Sequence, residues 1–100
     1  MKPAIKLDQE KIAAFCRKWQ IAELSLFGSV LREDFRPDSD VDVLISFEPD
    51  IPWSLFDWLD MIEDLKIIFG HEVDLVEQSG LRNPFRRKAI LDNCQVIYGG

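Results

Sequence analysis

The sequence holds one histidine, two cysteines and one tyrosine in 100 residues, and no apolar run approaches the roughly 18 residues needed to cross a bilayer. One histidine, His71, cannot build a zinc site, which draws on several histidines or thiolates. Cys16 and Cys94 stand too far apart to form a ligand pair and both lie in apolar surroundings, so each is expected to be a buried free thiol. The opening stretch MKPAIKLDQEKIAAF lacks the apolar segment of a secretory leader, which makes the cytoplasm the expected compartment and gives no reason to expect a membrane association. Positive charge is also in short supply. Twelve basic residues face 18 acidic ones, a net charge of -6, and such a field repels a polyanion, so direct nucleic-acid binding is not expected. A nucleoside triphosphate remains compatible, because bound metal ions invert the sign of the potential where its phosphates sit.

What is present is enough for one core. Apolar residues make up 47% of the chain, and 100 residues is the size of a single domain, expected here to span residues 1–100. Ile12, Phe15, Cys16 and Trp19 recur at helical spacing after Asp8, an N-cap residue, with Leu7 and Ile12 placed as a hydrophobic staple. Ala22 to Phe27 alternates as a strand and stops at Gly28-Ser29, followed by a short helical turn from Val30 to Asp34 and a polar loop. A second strand runs from Asp40 to Phe47. From Ser54 to Phe69 an amphipathic helix carries Leu55, Trp58, Leu59, Ile62, Leu65, Lys66 and Phe69 on one stripe and ends at Gly70. Glu72 to Val76 reads as a third strand, Asn83-Pro84 opens a last helix to about Leu91, and Gln95 to Tyr98 offers a short fourth strand. This order implies an α+β fold, a small mixed β-sheet flanked by helices, although it leaves the strand pairing open.

Chemistry concentrates at Asp40-Val41-Asp42. Two residues apart on a strand, both carboxylates face the same side while Val41 and Val43 face the other. Like charges so close raise each other's proton affinity unless a cation stands between them, and oxygen-only ligands suit magnesium or manganese. Acids at a strand end are also often merely solvated. Asp74 sharpens the reading, since it interrupts the apolar strand residues Val73 and Leu75 and can join Asp40 and Asp42 on one face. Three converging carboxylates are what a two-metal phosphoryl-transfer centre requires. Gly28-Ser29, at a strand-to-helix junction, offers backbone N–H groups and a hydroxyl to a phosphate, although the dipeptide alone is common in plain turns.

Leu26-Phe27-Gly28-Ser29, followed after ten residues by Asp40-Val41-Asp42 with Pro37-Asp38-Ser39 before it, closely resembles the signature of the DNA polymerase β-like nucleotidyltransferases, in particular the minimal nucleotidyltransferases. The resemblance runs from about Leu24 to Val76, and the stretch from Asn83 to Ile90 is similar to the closing helix of these small proteins. It implies the nucleotidyltransferase fold, with Gly28 and Ser29 on the triphosphate, Asp40 and Asp42 on Mg2+ (two ions, or Mn2+ in their place), and Asp74 as the third acid. It also implies ATP as substrate and a role as the antitoxin of a HEPN-type toxin, an all-helical partner that receives AMP on a tyrosine. A non-catalytic antitoxin that works by masking its partner is the alternative. One departure is that many members carry Arg-Gly-Glu after the turn, where this chain has Arg32-Glu33-Asp34.

Arg32 is placed to reach the triphosphate or, equally, to pair with Glu33, Asp34 or Asp38, and Arg36 has a weaker claim of the same kind. Arg82, Arg86, Arg87 and Lys88 form the one strongly basic stretch, either a solvated helix face or a landing place for an acidic partner or RNA. Trp53 and Trp58 are expected either to be left partly uncovered beside that partner or to join the core.

Overall fold

The computed structural model describes residues 4–99, in the order α1 (Gln9–Lys18), β1 (Ile21–Phe27), a 3-10 turn (Gly28–Leu31), β2 (Val41–Phe47), α2 (Leu55–Phe69), β3 (Val73–Glu77), a 3-10 turn (Gln78–Gly80), α3 (Pro84–Asp92) and β4 (Cys94–Gly99). The four strands form one sheet in the order β3-β2-β1-β4. β1 pairs antiparallel with β2 and with β4, whereas β2 and β3 run parallel and are joined through α2. The mixed sheet expected from the element order is therefore present. Among the described residues no helix is long and apolar enough to cross a membrane.

Local chemistry sets the helix ends. The Asp8 side chain accepts a hydrogen bond from the Lys11 N–H at 3.2 Å, while Arg17 and Lys18 lie in the last turn, where positive charge complements the helix dipole. α2 begins with a reciprocal capping box between Ser54 and Asp57 and ends at Gly70 in the left-handed conformation. α3 starts at Pro84 beneath an Asn83 cap that accepts from the N–H groups of Phe85 and Arg86.

The main core lies on one face of the sheet, where Ile12, Phe15 and Cys16 of α1 and Met61, Leu65 and Phe69 of α2 meet Leu24, Leu26, Val43, Ile45 and Leu75. On the opposite face Leu44, Leu81 and Ile90 form a smaller cluster with Phe27 and Val76, which holds α3 down. Burial of Cys16 pushes its thiol up to about 12, so it is the inert thiol expected. Cys94 differs, being only partly buried at the start of β4.

Several boundaries and faces depart from the sequence reading. The turn after β1 is a 3-10 turn over Gly28–Leu31, and the helix expected over Val30 to Asp34 does not form. On α2 the buried line is Met61, Leu65 and Phe69, spaced by four, whereas Leu55 and Leu59 of the expected stripe are 72% and 50% exposed. The apolar residues of α2 cover a broad arc, with Asp57, Asp60, Glu63, Asp64 and Lys66 set among them, so periodicity alone did not decide which side meets the sheet. Trp53 and Trp58 pack against the main core yet stay partly uncovered, so each of the two expectations holds in part. The Trp53 indole N–H donates to the Trp19 carbonyl at 2.9 Å, and Trp58 stands edge-on to Phe47. The large exposed apolar side chains are instead Leu55, Phe56, Leu59, Ile67, Phe85 and Val96.

Candidate active site

Strand register assembles the site. Asp42 pairs with Asp74 across the parallel β2/β3 ladder and with Phe27 across the antiparallel β1/β2 ladder, and Phe27 in turn pairs with Cys94 of β4. One row therefore crosses the whole sheet: Asp74, Asp42, Phe27, Cys94. Side chains directly opposite share a face, and this face is the one covered by α3, as the partners Phe27, Leu44 and Val76 show. Asp40 precedes β2 by one residue, and its charge is felt at Asp42.

Asp42 is the half-buried member of the trio, whereas Asp40 and Asp74 are exposed. Burial raises its carboxyl above the ordinary 3.8, with further upward pushes from Asp74 and then Asp40, partly opposed by Arg32. Electrostatic coupling and ligation are different tests. Among the described residues no group of three or more Asp, Glu, His or Cys side chains is gathered tightly enough to hold a metal ion by itself. The donor set nevertheless fits a hard divalent cation: all three groups are carboxylates, and the most buried one is electrostatically frustrated by the other two.

A stability consequence follows, with its sign fixed by linkage. Because the folded Asp42 carboxyl binds its proton more tightly than the unfolded one, its contribution to stability is greatest in acid and is lost as pH rises from 3.8 through the raised folded value. In metal-free buffer at neutral pH, Asp42→Asn should therefore melt higher than the parent, and the gap should narrow as the pH falls below that window. Melting curves at pH 7 and pH 3 check this; a gap that widens in acid would contradict it.

Gly28 adopts a φ of +74°, in the left-handed region, and a Cβ built there would run into the Asp42 carboxylate. The glycine thus serves both the reversal of the chain and the seat of Asp42. Ser29 lies half-buried in the 3-10 turn, its carbonyl accepting from the Arg32 N–H at 2.9 Å, while fully buried Val30 anchors the turn in the core. The Arg32 side chain lies 3.3 Å from Asp34, with both groups more than half exposed, so its pairing is loose. Arg36 makes no side-chain ion pair among the described residues, and its backbone N–H donates to Ser39 Oγ.

Beside Gly28 a cavity of about 550 Å³ opens between the 3-10 turn, the start of β4 and α3. Phe27, Leu31 and Ile90 line it with apolar surface, and Arg32 and Arg86 also line it. Sequence reasoning grouped Arg86 with its basic neighbours. Its position at N3 of a helix opened by Asn83-Pro84 was the available signal, but which face of that helix meets the sheet was not.

Residues 9–97 match the family model described as a nucleotidyltransferase domain. The protein adenylyltransferase MntA of Thermococcus cleftensis is 39% identical over 81 residues, covering 81% of this chain and 77% of that protein. A toxin-antitoxin solved with AMP-PNP shares the fold with a TM-score of 0.72 at 20% identity, covering 94% of this chain and 75% of that one. The complex of a tri-AMPylated Shewanella oneidensis HEPN toxin with its MNT antitoxin gives a TM-score of 0.63 at 18% identity, over 92% of this chain and 70% of that one. A Gly-Ser turn with Gly28 in the left-handed conformation, Asp42 on β2 with Asp40 just before that strand, and Asp74 in register on β3 thus sit within a family match that spans most of the sequence, and the chain belongs to the nucleotidyltransferase domain family.

Proposed function

We propose that this nucleotidyltransferase transfers AMP from ATP, with magnesium, to a tyrosine hydroxyl of a HEPN-type toxin and so acts as its antitoxin. The observation that carries the proposal is the register of Asp42 against Asp74, with Asp40 beside them and the Gly28-Ser29 turn one strand away. The name of the Thermococcus relative and the AMPylated toxin in the Shewanella complex supply the acceptor class.

In this reading Asp40, Asp42 and Asp74 hold the metal, and Gly28 and Ser29 bind the triphosphate through backbone N–H groups and the serine hydroxyl. A magnesium ion held there would lower the pKa of the acceptor hydroxyl and offset charge on the leaving pyrophosphate. The acceptor oxygen attacks the α-phosphorus, the bond from that phosphorus to the bridging oxygen of the pyrophosphate breaks, and the hydroxyl proton is lost. Asp74, an exposed member of the trio, would take that proton. Masking without chemistry is the second reading, favoured by the exposed Leu55, Phe56 and Leu59 at the start of α2, which suit a protein interface.

Incubation of the co-purified partner with this chain, ATP and magnesium should raise the partner's intact mass by whole AMP units, and the gain should be absent when the metal is chelated. An unchanged partner mass, with partner still neutralised, would leave masking as the function.

A further inference from the structure

We propose that Arg86 of α3 is a phosphate-positioning residue, which closes the cavity beside Gly28 over the polyphosphate of the nucleotide; the inference rests on the nucleotide-transfer reading of the same site. Three observations carry it. The first is contiguity. Gly28 is at once a wall of the cavity and the backbone against which the Asp42 carboxylate lies, so a triphosphate whose α-phosphate sits at the aspartates has its next phosphates at the cavity mouth.

The second is charge. The chain carries a net -6, and Asp40, Asp42 and Asp74 repel the ligand they are meant to serve. Arg32 and Arg86 are the cations that line this cavity, approaching it from different elements. Guanidinium groups match phosphate oxygens two at a time, and a pair of them offsets the acids where an ammonium would do so less well. Asp92 also lines the cavity and opposes an anion there, but Lys88 lies 2.8 Å from its carboxylate and answers much of that charge.

The third is the separation of Arg86 from its neighbours. Lys88 pairs with Asp92 on the exposed side of the helix, Arg87 does not line the cavity, and Arg86 has no ion-pair partner among the described residues. Its helix rests on this face through Ile90, which packs with Leu81 and Leu44, and its backbone N–H is held by the Asn83 cap. The exposed Arg86 is thus carried on the helix that borders the cavity.

Calorimetric titration with tripolyphosphate, ATP and AMP, each with magnesium, separates the possibilities. Arg86→Ala should weaken tripolyphosphate and ATP by about tenfold, leave AMP nearly unchanged, and be partly rescued by Arg86→Lys. Arg87→Ala should change none of the three, and melting curves should show all variants folded. Equal tripolyphosphate affinity in parent and Arg86→Ala would overturn the inference while leaving the transfer reading intact. So would a loss of AMP affinity equal to that of tripolyphosphate, which would place Arg86 on the nucleoside. A parent that binds no nucleotide at all would remove the transfer reading, and this inference with it.

Discussion

Joint replacement of Asp40 and Asp42 by asparagine should reduce AMP transfer to the partner by on the order of a thousandfold or more, while the protein stays folded. The magnitude follows from position. In the proposed reading these two residues supply two of the three metal-holding carboxylates, Asp42 lying against Gly28 and in register with Asp74, and asparagine would keep their shape but remove the charge proposed to hold a divalent ion. Folding should survive, and in metal-free buffer improve, because the change removes repulsion that now acts on a half-buried Asp42. Melting temperature and transfer rate are therefore expected to move in opposite directions. The same variant separates the two functional readings: if it neutralises the partner as well as the parent does, neutralisation is masking and the carboxylates do not carry it.

Gly28→Ala should lower transfer by about a hundredfold at a stability cost of about 1–2 kcal/mol. Gly70 provides the comparison. Both glycines have left-handed φ values, +74° and +71°, so alanine meets a similar backbone penalty at each. They differ in what surrounds them, since a Cβ at Gly70 has nothing within 4 Å, whereas at Gly28 it meets the Asp42 carboxylate. That carboxylate is the end of a rotatable side chain and can swing away, which spares the fold but moves Asp42 out of the row it shares with Asp74. Gly70→Ala should accordingly match Gly28→Ala in melting temperature and the parent in transfer rate. Equal transfer rates for the two variants would show that the contact at Gly28 does not govern the position of Asp42.

Much of this architecture is legible without coordinates, because the interactions responsible are short in sequence. Asp8, Ser54 and Asn83 act on N–H groups two or three residues away, and Gly70 ends α2 by its own backbone freedom, so helix ends can be read from composition. Alternation along β2 similarly puts Asp42 on the face opposite Val41 and Val43. The motif of Gly28, Ser29, Asp40 and Asp42 is local in the same sense, and it identified the family before any strand was paired.

Only the tertiary structure decided what depends on pairing and on helix rotation. That Asp74 falls opposite Asp42 is a matter of parallel register, fixed by the crossover through α2 and by burial of Val41, Val43 and Leu75 on the far face. The rotation of α2, which buries Met61, Leu65 and Phe69 and exposes Leu55 and Leu59, was ambiguous in a helix whose apolar residues cover so broad an arc. Arg86 and Arg87 are chemically identical neighbours in sequence, yet one step along a helix turns a side chain by about 100°. The seating of Ile90 against Leu44 sets that rotation, and it puts Arg86 beside the cavity and leaves Arg87 off it. The sequence determines the chemical groups and their local conformations; long-range packing, which no window of residues contains, determines which of those groups meet.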